Sequence, residues 1–283
     1  MSENQFQGPR KTPGSQRLLR LAAQKYAAYR GVAPGRVERW ISYMILGEAL
    51  SCLPKFDGEP QFVLKGGVAL EMRLGLDARA TSDLDVTFRR EMTKVSDALD
   101  EAFRSPIGDF TLRRHAGPTE LYKMVQFKIR LNYFGKDWNT VTLEVSPYEG
   151  PELPAEDVKA ISLAEFGLIG PLTLPCMPLV QQVAQKIHGA TKQLPDGKTN
   201  ERYRDLMDIL LMEALCPPSP QLRVACEETF SIRNAHSWPP EIVVYDHWID
   251  PFRTDAAKSG AAIDDVHVAA GRVRDYIAAI AQA

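Results

Sequence analysis

FVLKGGVALEMRLGLDARATSDLDV, residues 62 to 86, runs an apolar stretch into two adjacent glycines, then a short helical pattern, then two aspartates one residue apart. A strand over Phe62 to Lys65 that enters a helix through Gly66 and Gly67 can bring backbone N–H groups close to an anion. Glycine has no β-carbon, and the first helical amides lack partners. The glycine pair also suits an ordinary tight turn, and it matches neither the P-loop nor the dinucleotide fingerprint. In the strand predicted from Asp83 to Phe88, Asp83, Asp85 and Thr87 point one way while Leu84, Val86 and Phe88 point the other. Both carboxylates then share a face roughly 6 to 7 Å apart. Two like charges at that distance suit a solvated edge, or a hard divalent ion such as Mg²⁺ held between them.

The flanking pattern places this stretch in a sheet. In MVQFKIRLNY, residues 124 to 133, Val125, Phe127, Ile129, Leu131 and Tyr133 alternate with polar residues. TVTLEVS, residues 140 to 146, supplies a partner strand after an FGKDWN turn suited to a hairpin. Glu144 lies on the polar face of that partner, opposite Val141, Leu143 and Val145. It is the candidate for the further carboxylate that a two-metal phosphoryl-transfer site draws from a neighbouring strand, and it also reads as an exposed strand glutamate.

Helical patterns surround the sheet, at about residues 16 to 30, 36 to 52, 68 to 74 and around Val95 to Phe103. After a Pro-rich stretch of turns and linker from Pro147 to Pro178, they resume at about 179 to 193, 201 to 215, 221 to 230 and 262 to 281. The expected organisation is a mobile tail over residues 1 to 15, a mixed α/β core with N-terminal helices over 16 to 150, and a mainly helical domain over 151 to 283. The fold class is α+β, with a mixed sheet flanked by helices.

Of 283 residues, 45% are hydrophobic and 25% charged, the balance of a globular chain. No apolar run approaches the ~20 residues that span a bilayer, and the N-terminus carries no secretory pattern, so a cytoplasmic protein is expected. The four cysteines show neither zinc spacing nor a disulfide framework. Net charge is −2, yet the first 40 residues hold eight Lys or Arg against two Glu. That basic region suits either a phosphate backbone or a solvated helix face.

GGVALEMRLGLDARATSDLDV resembles the first motif of the AbiEii/AbiGii-like nucleotidyltransferase toxins, within the polymerase-beta-type superfamily. The resemblance rests on the Leu64 to Gly67 opening, then Arg79, Thr81, Asp83 and Asp85. It continues in QKIHGATKQLPDGKTNERYRDLMDIL through Lys186, Arg204, Asp205 and Asp208. Thr81 stands where many members carry serine, which keeps the hydroxyl. The resemblance implies a polymerase-beta-like core in which Asp83 and Asp85, with Glu144, hold Mg²⁺ or Mn²⁺. Lys65, Gly66, Gly67, Arg79, Thr81 and Lys186 would bind the nucleotide, with Lys186 as a point charge on the triphosphate. Arg79 would pair with a metal-binding aspartate, reach a phosphate or form a structural ion pair. Asp205 would orient Lys186, help activate the attacking hydroxyl, or pair with Arg202 or Arg204. His188 reads as packing or surface rather than as a general base. The WPPEIVVYDHWIDPFR segment reads as a peripheral docking feature, with Trp238, Tyr245 and Trp248 packing.

The implied reaction moves a nucleoside monophosphate from an NTP, CTP or another pyrimidine, to RNA. The tRNA 3′ end is the expected acceptor, translation is blocked, and an antitoxin protein is a further partner; no membrane is involved. A protein hydroxyl or a small molecule is the alternative acceptor. A non-catalytic nucleotide- or RNA-binding regulator is the alternative class, and such a regulator needs no metal pair.

Overall fold

The computed structural model describes residues 6, 8–9, 11–75, 78–121, 123–149, 153–194 and 198–283. Its chain divides into two compact units. The first comprises Met1–Gly75, Ala80–Tyr148 and Ala155–Cys176; the second comprises Leu76–Arg79, Glu149–Pro154 and Met177–Ala283.

The first unit is a mixed sheet with helices. In chain order it carries α1 (Gln16–Arg30), α2 (Pro34–Ser51), β1 (Phe62–Lys65), α3 (Gly66–Leu74), β2 (Asp83–Phe88) and α4 (Val95–Ala102). β3 (Phe110–Arg114), β4 (Thr119–Leu121), β5 (Met124–Tyr133), β6 (Lys136–Pro147), β7 (Glu156–Lys159) and β8 (Thr173–Cys176) follow. The strand order is β3-β5-β6-β2-β1-β8-β7, with β4 paired to β5. β2 lies antiparallel to β1 and parallel to β6, so the aspartate strand is central and both its neighbours carry polar residues on the same face. The expected FGKDWN turn contracts to two residues: Phe134 and Gly135 both have positive φ, the geometry of a tight hairpin.

Alternation places the core. Leu84, Val86 and Phe88 of β2, Phe127, Ile129 and Leu131 of β5, and Val141, Leu143 and Val145 of β6 are buried in one cluster with Ile41, Met44 and Ile45 of α2. Ser15 caps α1 by accepting from the Leu18 N–H, and Gly31 in the left-handed region ends it.

Two expectations change. The stretch from Pro147 to Pro178, expected as turns and linker, contains β7 and β8, and β8 joins the sheet parallel to β1 at Leu64 and Cys176. The sheet-bearing unit therefore extends to Cys176 rather than ending at residue 150. Of the stretch read as a mobile tail, residues 1–5, 7 and 10 lie outside the described residues; Pro13 is buried, and its carbonyl accepts from Tyr133 Oη at 2.6 Å.

The second unit is helical: α5 (Leu179–Thr191), α6 (Tyr203–Glu213), α7 (Pro220–Arg233), α8 (Ile249–Ser259) and α9 (Val266–Gln282). The segment read as a docking feature enters α8, and Trp248 is fully buried with its indole N–H on the Asn200 carbonyl. Among the described residues, no helix is long and apolar enough to cross a membrane.

Candidate active site

In the first unit, strand register gathers the carboxylates. Asp85 faces Glu144 across β2 and β6 and Lys65 across β1 and β2, while Asp83 faces Thr142. On the far side of β6, Gln126 of β5 faces Glu144 and donates to its Oε1 at 3.1 Å. Asp83, Asp85 and Glu144 are each partly exposed on the sheet face opposite the core. Asp83 Oδ2 accepts from Ser82 Oγ at 2.6 Å, and Lys65 Nζ donates to Ser146 Oγ at 2.7 Å.

Gly66 is fixed by this carboxylate. Its φ is +62°, and a β-carbon there would stand 2.1 Å from Asp85 Oδ2. A β-carbon on Gly67 would stand 2.6 Å from the β-carbon of Thr81. The glycine pair therefore makes room for the side chains of the next motif, and it also opens α3. Thr81 in turn is anchored through its carbonyl, which accepts from Tyr43 Oη at 3.3 Å.

Among the described residues, no three His, Cys, Asp or Glu side chains form a ready-made metal cluster. The donor chemistry still fits a hard divalent cation, because the face offers carboxylate oxygens alone, with no thiol or imidazole among them. Asp83 and Asp85 are the principal donors. Glu144 adjoins them by register but is already engaged with Gln126.

In the second unit, a buried ionic network surrounds Lys186. Its ammonium donates to Asp205 Oδ1 at 2.6 Å and to Asp208 Oδ2 at 2.7 Å. Arg79 closes on Asp208 with two bonds, Nε to Oδ1 at 2.8 Å and Nη2 to Oδ2 at 2.9 Å. Arg202 holds the other oxygen of Asp205. The three-residue step from Asp205 to Asp208 along α6 puts both carboxylates on one buried face.

Three cations and two carboxylates interlock here, and the attraction between opposite charges sets the protonation states. Burial alone would lower the Lys186 pKa, but Asp205 and Asp208 outweigh it and hold the value above that of an ordinary lysine. Burial alone would raise Asp205, but Lys186 and then Arg202 hold it below the usual carboxylate range. A carboxylate with both oxygens on cations and a lowered pKa is a poor proton acceptor, so this geometry suits Asp205 as an orienting group. Two of the three ammonium N–H bonds of Lys186 are spent on these carboxylates.

The structure thus brings Lys65, Gly66, Gly67, Thr81, Asp83, Asp85 and Glu144 together in the first unit, and Arg79, Lys186 and Asp205 in the second. Arg204 pairs with Asp255 at 2.7 Å, which leaves Arg202 as the arginine partner of Asp205. Asp208 belongs to the same ionic network, although sequence reasoning matched it to a motif without giving it a role. Its spacing from Asp205 was the available signal. His188 is buried, stacked edge-on to Phe230, and pushed down to about 3 by burial and then by Arg233. It stays neutral at any physiological pH.

The model of the nucleotidyl transferase AbiEii toxin family, of type IV toxin–antitoxin systems, matches residues 48–278. A search of curated proteins finds no significant match. Among solved structures, MenT4, a nucleotidyltransferase toxin from Mycobacterium tuberculosis H37Rv, is 19% identical. The alignment covers 96% of this chain and 91% of that one with a TM-score of 0.62, which establishes a shared fold. The antibiotic-resistance factor ANT(2″)-Ia is 20% identical over 70% of this chain and 92% of its own, with a TM-score of 0.37, too low to support any argument.

Proposed function

The chain belongs to the AbiEii family of nucleotidyl transferase toxins of type IV toxin–antitoxin systems and is a nucleotidyltransferase, and on that premise we propose that it transfers a nucleoside monophosphate from an NTP to an RNA hydroxyl. The tRNA 3′ end is the proposed acceptor and a pyrimidine nucleotide the proposed donor, with arrest of translation as the outcome. A cognate antitoxin is the proposed protein partner. The observation that carries this reading is the open sheet face on which Asp83, Asp85 and Glu144 stand at neighbouring register positions, with Gly66 stripped of a side chain to admit Asp85.

Asp83 and Asp85, with Glu144 beside them, are the residues that would hold Mg²⁺ or Mn²⁺, which when bound supplies positive charge to the triphosphate. The amide of Gly67, in the first turn of α3, is the group offered to a phosphate oxygen. Lys65 and Thr81 flank the same carboxylates and complete the proposed nucleotide contacts. In the transfer, the acceptor hydroxyl oxygen bonds to the α-phosphorus as the bond from that phosphorus to the bridging oxygen breaks. The hydroxyl proton passes to solvent and pyrophosphate departs. Lys186 is kept charged by Asp205 and Asp208 and has one N–H left, and its proposed role as a point charge on the triphosphate is carried over from the family resemblance. Arg79 locks Asp208 in place and so acts on Lys186 indirectly.

Induced expression in a bacterial host tests the biological side. The wild-type chain should arrest growth with translation falling first, and Asp85→Ala should not. Growth arrest that persists in Asp85→Ala would refute an enzymatic toxin.

A further inference from the structure

The face that carries the aspartates continues outward across β6, β5 and β3, and its residues change sign on the way. In one row Asp83 faces Thr142, which faces Lys128; in the next, two residues along the strands, Thr140 faces Arg130, which faces Arg113. Strands lie about 4.8 Å apart, so Lys128 stands roughly 10 Å from Asp83 along its row, and Arg130 some 6 to 7 Å further along β5. Lys128 and Arg113 are exposed and Arg130 half-buried, while the alternate residues Phe127, Ile129, Leu131 and Leu112 are buried on the core side.

Among the described residues Lys128 and Arg113 have no ion-pair partner, and Arg130 has a long one. Lys128 Nζ, among the described residues, meets only the Thr142 hydroxyl. Arg130 approaches Asp137 at 3.9 Å, a carboxylate three-quarters exposed, and His115 Nε2 at 2.9 Å. Arg113 has no hydrogen-bond or ion-pair partner among the described residues. Two such cations and a third with a long ion pair, standing in line, form a concentrated positive potential. Arg113 stands at the outer end of the stripe, on β3, exposed like Lys128. A line of cations that tracks a backbone is the electrostatic feature that holds single-stranded nucleic acid without reading its sequence.

The N-terminal helices, by contrast, supply fewer available charges than their composition implies. Arg20 is held by Glu38 and the Trp138 carbonyl, and Arg36 by buried Glu71.

We infer that Arg113, Lys128 and Arg130 form the track for the phosphate backbone of the acceptor RNA, leading its end towards Asp83 and Asp85. This inference rests on the RNA-acceptor reading. It adds the surface that receives the strand and assigns these cations to the acceptor rather than to the triphosphate.

The test compares the wild-type chain with the Arg113→Gln/Lys128→Gln/Arg130→Gln variant. It measures equilibrium binding of total tRNA between 50 and 200 mM salt, KM for RNA and for NTP, and the thermal midpoint. With about 0.7 counterions released per single-strand contact, the wild type should lose roughly 20-fold more affinity across that range than the variant. KM for RNA should rise while KM for NTP and the midpoint stay unchanged. Arg253→Gln, an exposed arginine of α8, should match the wild type. Equal salt slopes in variant and wild type, or a raised KM for NTP with unaltered RNA binding, would overturn the track while leaving the RNA reading in place. If the wild type neither binds nor labels RNA, the acceptor reading falls and the track falls with it.

Discussion

The Asp85 carboxylate occupies the space that a β-carbon on Gly66 would need, 2.1 Å from its Oδ2. Two motifs adjacent in sequence are therefore one steric unit, in which the glycine exists for the aspartate as much as for a phosphate. Gly66→Ala should displace Asp85 and add about 1–2 kcal/mol of left-handed backbone strain. Nucleotide incorporation should fall at least tenfold while the melting midpoint drops by only a few degrees. Activity near that of the wild type would show that Asp85 needs no such clearance.

Asp208 is fully buried and holds Lys186 and Arg79 together. Asp208→Ala should destabilise the fold by about 3–5 kcal/mol, because it leaves two cations facing an empty site. Removing Lys186 as well should recover part of that loss. Urea unfolding of Asp208→Ala, Lys186→Met and the double variant measures the coupling, and strictly additive losses would contradict the network.

The lowered pKa of Asp205 sets a direction for acid stability. Its folded value lies below the unfolded one, so its contribution is complete above about pH 4 and is lost as pH falls through the folded value. In that window the unfolded state binds more protons, and unfolding free energy rises with pH. Asp205→Asn should flatten the slope there, as read from urea midpoints at successive pH values. An unchanged slope would place the acid transition in other carboxylates.

Burial, and then Arg233, push the His188 imidazole down to about 3. The pH–rate profile between pH 5 and 8 should therefore contain no inflection that disappears in His188→Gln. Such an inflection would return this histidine to the list of proton-transfer groups.

The parts legible in the sequence are those with strict local periodicity. β5 alternates from Phe127 to Tyr133 and β6 from Thr140 to Val145, and β2 does the same from Asp83 to Val86 before Thr87, which is buried. The parts missed depend on distant partners. EDVK and TLPC carry no alternation, and Pro175 argues against a strand, yet β8 pairs with β7 and β1 because Leu64 and Cys176 meet across the sheet. α8 was obscured by Pro251 near its start, where proline is tolerated. Asp83, Asp85 and Lys186 are singled out by motif. The grip of Asp208 on Arg79, the clearance at Gly66 and the cationic rows beyond Thr142 are relations between strands or helices that no local pattern encodes.

The most direct measurement incubates the purified chain with total RNA and each labelled NTP in turn, in Mg²⁺, beside Asp85→Ala. Label should appear in RNA, strongest with a pyrimidine nucleotide, absent from protein, and lost in the variant. Label of equal strength from Asp85→Ala, or label on protein with RNA untouched, would contradict the proposed function.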